Sequence, residues 1–463
     1  MAPDTDGLSQ LGEMMREERV YVARDGGGRD GGEQRDGGEP VDPEIRRRRR
    51  RKGLITTAIV TAVVLVASGL YVGWALRAPI GAAEAVSEVP VVAAGAEAML
   101  RMSPEGASAI SIAGAEPYLG PTASGIYATS GGDAARPIAS ISKVITALVI
   151  LSKHPLKSST DAGPSITFSK ADHALYDKYY VQGATIAAMP TGSTLSLHDS
   201  LEAMLVASAC NYAEAVSTWA FGSQGAFLAA TRQWLTQNKL THTTIVEPTG
   251  LDERNTSTPH DLVRLAKIAM KNPAIAQIVA MPSLDVPGIP SVANTNSLLG
   301  TSGVVGLKTG TLTKSGSDLL FSAMLQPIAT DPTVLTVTGV VLGGYSRQSV
   351  NADVVDMLSS LVEGFHELTV ATKGTPVGTY TTAWGESAQM VLGDNASLIT
   401  WSDTPVTARL ETTALTTGVE GQEVGSVTYT AGPNTVTVPV VLDAAIAPPD
   451  EWWRITHPGE LHE

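Results

Sequence analysis

Ser140 and Lys143 stand three residues apart in Ile138-Ala139-Ser140-Ile141-Ser142-Lys143-Val144-Ile145, ahead of a long apolar run. If Ser140 opens a helix there, residues i and i+3 share a face and the lysine amine lies beside the hydroxyl. A serine hydroxyl becomes a competent nucleophile when a neighbouring base takes its proton, and a desolvated neutral lysine is such a base. The competing reading is a capping serine followed by a surface lysine. A second group, Lys308-Thr309-Gly310-Thr311, combines a cation, a hydroxyl and a glycine that lets a ligand approach the backbone. On a strand edge beside a nucleophilic serine, such a segment can also bind an extended peptide as an added strand. Taken alone, it reads as a turn. The chain contains one Ser-x-x-Lys and one Lys-Thr-Gly.

The surrounding elements must bring these groups together. Strand-like alternation occurs around Ala107–Ala113 and Gly125–Thr129, with a Gly131-Gly132-Asp133 turn leading towards the Ser140 helix. Helical spacing of apolar residues runs over Leu197–Ala207 and again over Asn211–Ala220, with Ser208-Ala209-Cys210 between the two. Asp261–Lys271 is a further amphipathic helix, introduced by Ser257-Thr258-Pro259, an acceptor before a helix-opening proline. Three strand-like runs, Gly303–Thr309, Asp318–Leu325 and Val334–Leu342, suggest an antiparallel sheet, and Arg347 to about Leu368 returns to helical spacing across it. Strands at both ends with helices inserted between them describe an α+β domain.

The 463-residue chain has room for two or three domains and carries a formal charge of −14. Residues 1–52 hold twelve acidic and twelve basic side chains, so the deficit lies in the remainder. An acidic body argues against nucleic acid as a partner. With one cysteine, Cys210, no intrachain disulfide can form. Residues 1–52 contain Arg-Asp-Gly-Gly three times, have little to bury and read as a disordered cytoplasmic tail ending in the basic run Arg46–Lys52. Residues 53–76 follow as a transmembrane helix: Leu54 to Leu76 is 23 residues without a charge, long enough for the roughly 30 Å hydrocarbon core. The cations hold its N-terminal end in the cytoplasm, which places the bulk of a single-pass protein outside the cell membrane. Residues 77–98 read as a stalk and 99–372 as the catalytic domain. Residues 373–447 read as a small all-β domain, from the runs Gly378–Trp384, Ala396–Trp401, Val406–Glu411, Val424–Thr430 and Thr435–Leu442, and 448–463 as a loose tail.

In order, Ser140-x-x-Lys143, Ser208 between two helices and Lys308-Thr309-Gly310 resemble the motif set of penicillin-binding proteins and serine β-lactamases. Arg136-Pro137-Ile138-Ala139-Ser140, Glu247-Pro248-Thr249-Gly250-Leu251-Asp252 and Asn294-Thr295-Asn296 resemble segments of the low-molecular-mass D-alanyl-D-alanine carboxypeptidases. The resemblance covers about Gly95 to Leu442. It implies a β-lactamase/transpeptidase-like fold, an antiparallel sheet flanked by helices, and an acyl-enzyme mechanism on the stem peptide of peptidoglycan. Ser140 would attack the carbonyl between two terminal D-alanines, Lys143 would take its proton, and Ser208 would relay a proton to the leaving amine. Lys308 would help hold Lys143 neutral and, with Thr309, bind the substrate carboxylate. Gly310 and Thr311 would border the substrate, with the amides of Ser140 and Thr311 as oxyanion hole. β-Lactam antibiotics would acylate the same serine; neither a metal nor an organic cofactor is implied.

The chain departs from that pattern at one place. The family's middle motif is Ser-x-Asn, and this chain reads Ser208-Ala209-Cys210-Asn211. Keeping register puts Cys210 where the amide belongs, and a thiol donates and accepts only weakly. Using Asn211 instead would replace Ser208 by Ala209. A third reading makes Asn211 an ordinary helix residue and Cys210 a small buried hydrophobe. Two alternatives to a carboxypeptidase therefore stay open. One is a catalytically impaired peptidoglycan- or partner-binding homologue. The other is a serine β-lactamase, which in class A enzymes needs a glutamate to position the deacylating water.

Overall fold

A computed structural model describes residues 43–329 and 332–461. Of the segment expected to be a disordered tail, residues 1–42 lie outside the described residues, whereas 43–52 do not form a tail. They are the first turns of helix α1, Pro43–Ala75, so the basic run is helical and continuous with the apolar stretch. Over Arg47–Ala75 this helix is long and apolar enough to cross a membrane, and none of its most apolar stretch is buried by protein.

The unit from Pro79 onward contains two sheets. Five antiparallel strands, β2 (Ala107–Ala113), β3 (Ala128–Ser130), β4 (Val304–Leu312), β5 (Gly316–Leu325) and β6 (Leu335–Gly344), lie in the order β3-β2-β6-β5-β4. Alternation along β5 shows how this sheet is covered twice. Leu320 points into one core, made mostly with helices, whereas Leu319, Phe321 and Ala323 point into another. The second face is covered by the helix Arg347–Glu363, through Val350, Val354, Met357 and Leu361. That helix ends earlier than the apolar spacing suggested, because Phe365–Ala371 turns into a strand.

The first face is built around α2, Ser142–Lys153. Every residue from Ser142 to Leu151 is buried, so this is a helix enclosed on all sides rather than a surface amphipathic one. Around it lie α3 (Lys170–Tyr180), α4 (Leu197–Leu205), α5 (Cys210–Phe221), α6 (Gln224–Gln237) and α7 (Pro259–Lys271). Their starts follow side-chain chemistry: Ser169 and Asp172 form a reciprocal capping box, and Thr258 accepts the Asp261 amide just ahead of Pro259.

The second sheet has its own core, centred on Tyr380, Met390, Val427, Tyr429 and Val440. Its six strands include Glu84–Ser87 (β1), which pairs antiparallel with Pro376–Thr381. Residues 84–87 are therefore part of a sheet and not of a free stalk, and the Ala83 amide is held by the Leu415 carbonyl at 2.7 Å. Val370 and Ala371 also pack into this core, ahead of the boundary expected at 373. The strand Ser387–Leu392 had no counterpart among the expected runs. The C-terminal segment is likewise more ordered than a loose tail: Asp450 caps the helix Glu451–Thr456, and Trp453 meets Trp384 edge-on at 5.8 Å.

Candidate active site

A one-turn 3-10 helix, Ala139–Ile141, leads into α2 and carries Ser140. Ala139 sits at φ 44°, a left-handed conformation costly for a residue with a Cβ and of a kind often found at functional sites. One turn on, Lys143 is completely buried. Its Nζ donates to Ser140 Oγ at 2.9 Å and to the Thr249 carbonyl at 2.6 Å, and it has no carboxylate partner among the described residues.

Thr249 belongs to a loop that packs against the Ser140 turn. Glu247 accepts the amides of Thr249 and Gly250, both at 2.6 Å, and the Asn255 side-chain amide at 3.0 Å. Asn255 in turn donates to Ser142 Oγ at 3.1 Å, and its carbonyl accepts the Ile138 amide at 3.0 Å. Gly250 has φ +86°, and a Cβ there would stand 1.8 Å from the Ala139 carbonyl oxygen. Only glycine lets the loop approach the Ser140 turn this closely.

Strand β4 brings the second motif to the same place and is the outermost strand of its sheet. At Gly310 a Cβ would come within 2.9 Å of the Ala139 Cβ, so this glycine too is required by close packing on the Ser140 turn. Lys308 is buried, donating to the Thr309 carbonyl at 3.1 Å and to Thr295 Oγ1 at 3.4 Å, while Thr309 Oγ1 donates to Thr295 Oγ1 at 2.7 Å. Burial first, then the nearby Lys143 and Arg347 charges, hold the Lys308 amine well below the ordinary lysine range.

The third segment is less well tied. Ser208 sits at φ 60° between α4 and α5, is buried, and its hydroxyl has no hydrogen-bond partner among the described residues. Cys210 opens α5, its amide held by the Thr185 carbonyl at 2.8 Å, and its sulfur lies within electrostatic reach of Lys308 and Tyr179. Asn211 is elsewhere: its amide accepts the Ala187 N–H at 3.1 Å and donates to the Ala187 carbonyl at 2.8 Å. It staples a loop, and its amide is spent there.

The structure thus gathers Ser140, Lys143, Lys308, Thr309, Gly310 and Thr311, with Cys210 beside them. It also adds residues that the spacing of motifs did not single out. Arg347, read only as a helix start, donates through Nε to Thr311 Oγ1 at 3.0 Å and places a guanidinium at the outer strand. Thr295 and Thr249, noted only within familiar words, turn out to hold the two lysines. A cavity of about 450 Å³ adjoins the Thr249 loop, lined among others by Tyr179, Gln182, Glu214, Leu228 and Leu251. Among the described residues one trio, His198, Asp199 and Glu202, is close enough to share a cation. Its imidazole is already engaged by Glu202 through Nδ1 and by Ser159 and Gln277 through Nε2, so it is a buried structural pair.

Comparison with known proteins agrees with this geometry. Residues 122–338 match the family model for D-alanyl-D-alanine carboxypeptidases, peptidase family S11. A D-alanyl-D-alanine carboxypeptidase of a Streptomyces species is 26% identical over 230 residues, 46% of this chain and 76% of the relative. A D-alanyl-D-alanine endopeptidase of Pseudomonas aeruginosa is 31% identical over 151 residues, 32% of this chain and 45% of the relative, so the chain spans less than half of that protein. Among solved structures, penicillin-binding protein 5 of Haemophilus influenzae superposes with a TM-score of 0.48 at 17% identity, covering 75% of this chain and 98% of its own. Both the Ser140 turn and the Lys308 strand fall inside the matched region, and over it the chain is similar to the serine-type D-alanyl-D-alanine carboxypeptidases of family S11.

Proposed function

We propose that the protein removes the terminal D-alanine from peptidoglycan stem pentapeptides through a Ser140 acyl-enzyme, at the outer face of the membrane that α1 spans. The observation that carries this reading is the 2.9 Å bond between Lys143 Nζ and Ser140 Oγ in a buried site shared with Lys308. Ser140 Oγ attacks the carbonyl carbon of the penultimate residue and its proton passes to the free-base form of Lys143. The developing oxyanion is received by the amides of Ser140 and Thr311, an arrangement in which one donor is worth roughly 3–4 kcal/mol. The C–N bond breaks as the leaving amine takes a proton relayed through Ser208, and free D-alanine departs. Water then cleaves the ester, restoring the Ser140 hydroxyl and releasing the shortened peptide as its carboxylate. Lys308 and Thr309 would bind the substrate's terminal carboxylate, and the Arg347 guanidinium, bonded through Nε to Thr311 Oγ1, would add a further cation there. Arg46–Lys52 keep the N-terminus cytoplasmic.

A second reading is favoured by Cys210, a thiol in the place of the motif amide: a homologue that acylates and binds peptidoglycan but turns over poorly. A β-lactamase is disfavoured, because the Glu247 carboxylate is engaged by the Thr249 and Gly250 amides of its own loop. Full-length protein incubated with a fluorescent penicillin, and separately with a stem pentapeptide, tests these readings. The carboxypeptidase reading expects a stable adduct, absent in Ser140→Ala, together with released D-alanine. An adduct without D-alanine release selects the impaired homologue, and rapid penicillin hydrolysis selects the lactamase.

A further inference from the structure

Away from the lysine pair, the polar face of α7 carries a different kind of site. A groove of about 570 Å³ runs between this helix, the Ser124–Ile126 turn and the loop from Lys239 to His242. In a chain with a net charge of −14, five of the side chains lining it are Lys239, His242, His260, Arg264 and Lys267. Along α7, His260, Arg264, Lys267 and Lys271 recur at spacings of four, three and four residues, so they form one stripe with steps of about 5–6 Å.

The carboxylates in the groove are already engaged. Asp133 accepts the His260 amide at 3.0 Å and pairs with its ring, and Asp261 accepts the His242 amide at 2.9 Å and the Thr243 hydroxyl at 2.8 Å. The side chains of Lys239, Arg264 and Lys271 make no ion pair or hydrogen bond among the described residues. Lys267 donates to two carbonyls, Ser124 at 2.6 Å and Gly125 at 3.2 Å. Burial and the like charges of Arg264 and Lys271 hold its amine below the ordinary lysine range, partly offset by Glu116. Lys239, Arg264 and Lys267 outnumber the two carboxylates of this lining, Asp133 and Asp261, and an anion placed among the cations would relieve their mutual repulsion.

We propose that this groove binds a polyanionic phosphodiester polymer of the cell wall. A phosphodiester keeps one negative charge at every pH the wall meets, and phosphates joined by a short polyol unit can follow the stripe on α7. Arg264 offers a guanidinium fork to one phosphate while the lysines act as point charges. The site is concave, and no large exposed hydrophobic residue lines it, which suits an extended polymer better than a bilayer or an apolar protein face. The proposal needs the protein to work in the wall, but not Ser140 to be its nucleophile.

Full-length protein in neutral detergent would be titrated with poly(glycerol phosphate), with dextran as the uncharged control and polyglutamate as the carboxylate control. Saturable binding is expected, weakening about tenfold or more between low and moderate salt as the charges are screened. Lys239→Glu with Arg264→Glu should weaken it by a further tenfold or so while leaving the rate of penicillin labelling unchanged. If that double variant melts early, Lys239→Gln with Arg264→Gln serves the same purpose. Binding no stronger than dextran's, binding untouched by either double variant, or polyglutamate binding as tightly would each overturn the proposal. Loss of penicillin labelling in the wild type would strike the proposed hydrolytic function and leave the groove unaffected.

Discussion

The two walls of the catalytic site are built to different standards. On the nucleophile wall, the Ser140 turn is pressed between Gly250 and Gly310, and each glycine lies where a Cβ would collide with Ala139. Lys143 is fixed by a carbonyl as well as by the serine it serves. In the segment between α4 and α5, the Ser208 hydroxyl has no hydrogen-bond partner among the described residues, and Cys210 offers a thiol, which donates and accepts only weakly. The difference teaches that the fold fixes the Ser140–Lys143 pair tightly and holds the Ser208–Cys210 segment with fewer bonds. In the proposed mechanism, attack on the carbonyl would be preorganised and the later proton transfers loosely specified. Acylation and turnover can therefore be separated experimentally.

The largest effect should come from Ser140→Ala, which removes the bond-forming atom. Penicillin labelling vanishes and D-alanine release, followed by chromatography, falls by about 10⁴-fold or more. Next, Gly250→Ala should force the Glu247 loop off the Ser140 turn. Acylation rate constants should drop by about 100-fold, with a fall in Tm, because small misplacements of a nucleophile are costly. If Gly250→Ala acylated normally, the rigid-wall description would be wrong. Arg347→Gln should raise KM for the stem peptide and lower kcat/KM by roughly 10–100-fold through one lost charged hydrogen bond, with kcat less affected. Cys210→Asn probes the loose wall and should change turnover by less than about tenfold, mainly in steps after acylation. A large gain instead would make the cysteine the main brake on activity.

The smallest effect concerns stability. Asp318 lies opposite Gly310 in the β4–β5 ladder, and burial raises its carboxyl to about 7 despite the Gly343 amide at 2.8 Å. The native state therefore keeps this proton over a range in which an unfolded aspartate, with its lower pKa, has lost it. Stability should fall as pH rises from about 4 towards 7, since the native state binds more protons there. Asp318→Asn should flatten that slope in Tm measured across the same range.

Residue type and order made the nucleophile wall readable in sequence, because lysine and glycine at fixed spacings are rarely interchangeable there. What was not readable depends on distant partners. Glu247 reads in sequence only as part of a carboxypeptidase-like segment; that its carboxylate ties its own loop's amides to Asn255 depends on partners seen in the structure. The three-residue offset between Ser208 and Asn211 could be resolved only by the Ala187 backbone, which consumes the amide. Arg347 sat unnoticed at a helix start because its partner, Thr311, lies 36 residues earlier. The four-residue strand Glu84–Ser87 lies in an alanine- and valine-rich stretch without turn signals, and its mate begins at Pro376. Local pattern carries no trace of such a pairing.

That strand has a practical corollary for anyone trimming the chain. Glu84–Ser87 covers the outer rim of Pro376–Thr381, so the sheet's first ladder is closed by residues only a few positions past the apolar helix. A version beginning at residue 79 keeps this cover, whereas one beginning at residue 99, after the expected stalk, strips it away. The bared rim would present unpaired amides and carbonyls to the same rim of another molecule, a template for sticky self-association in solution.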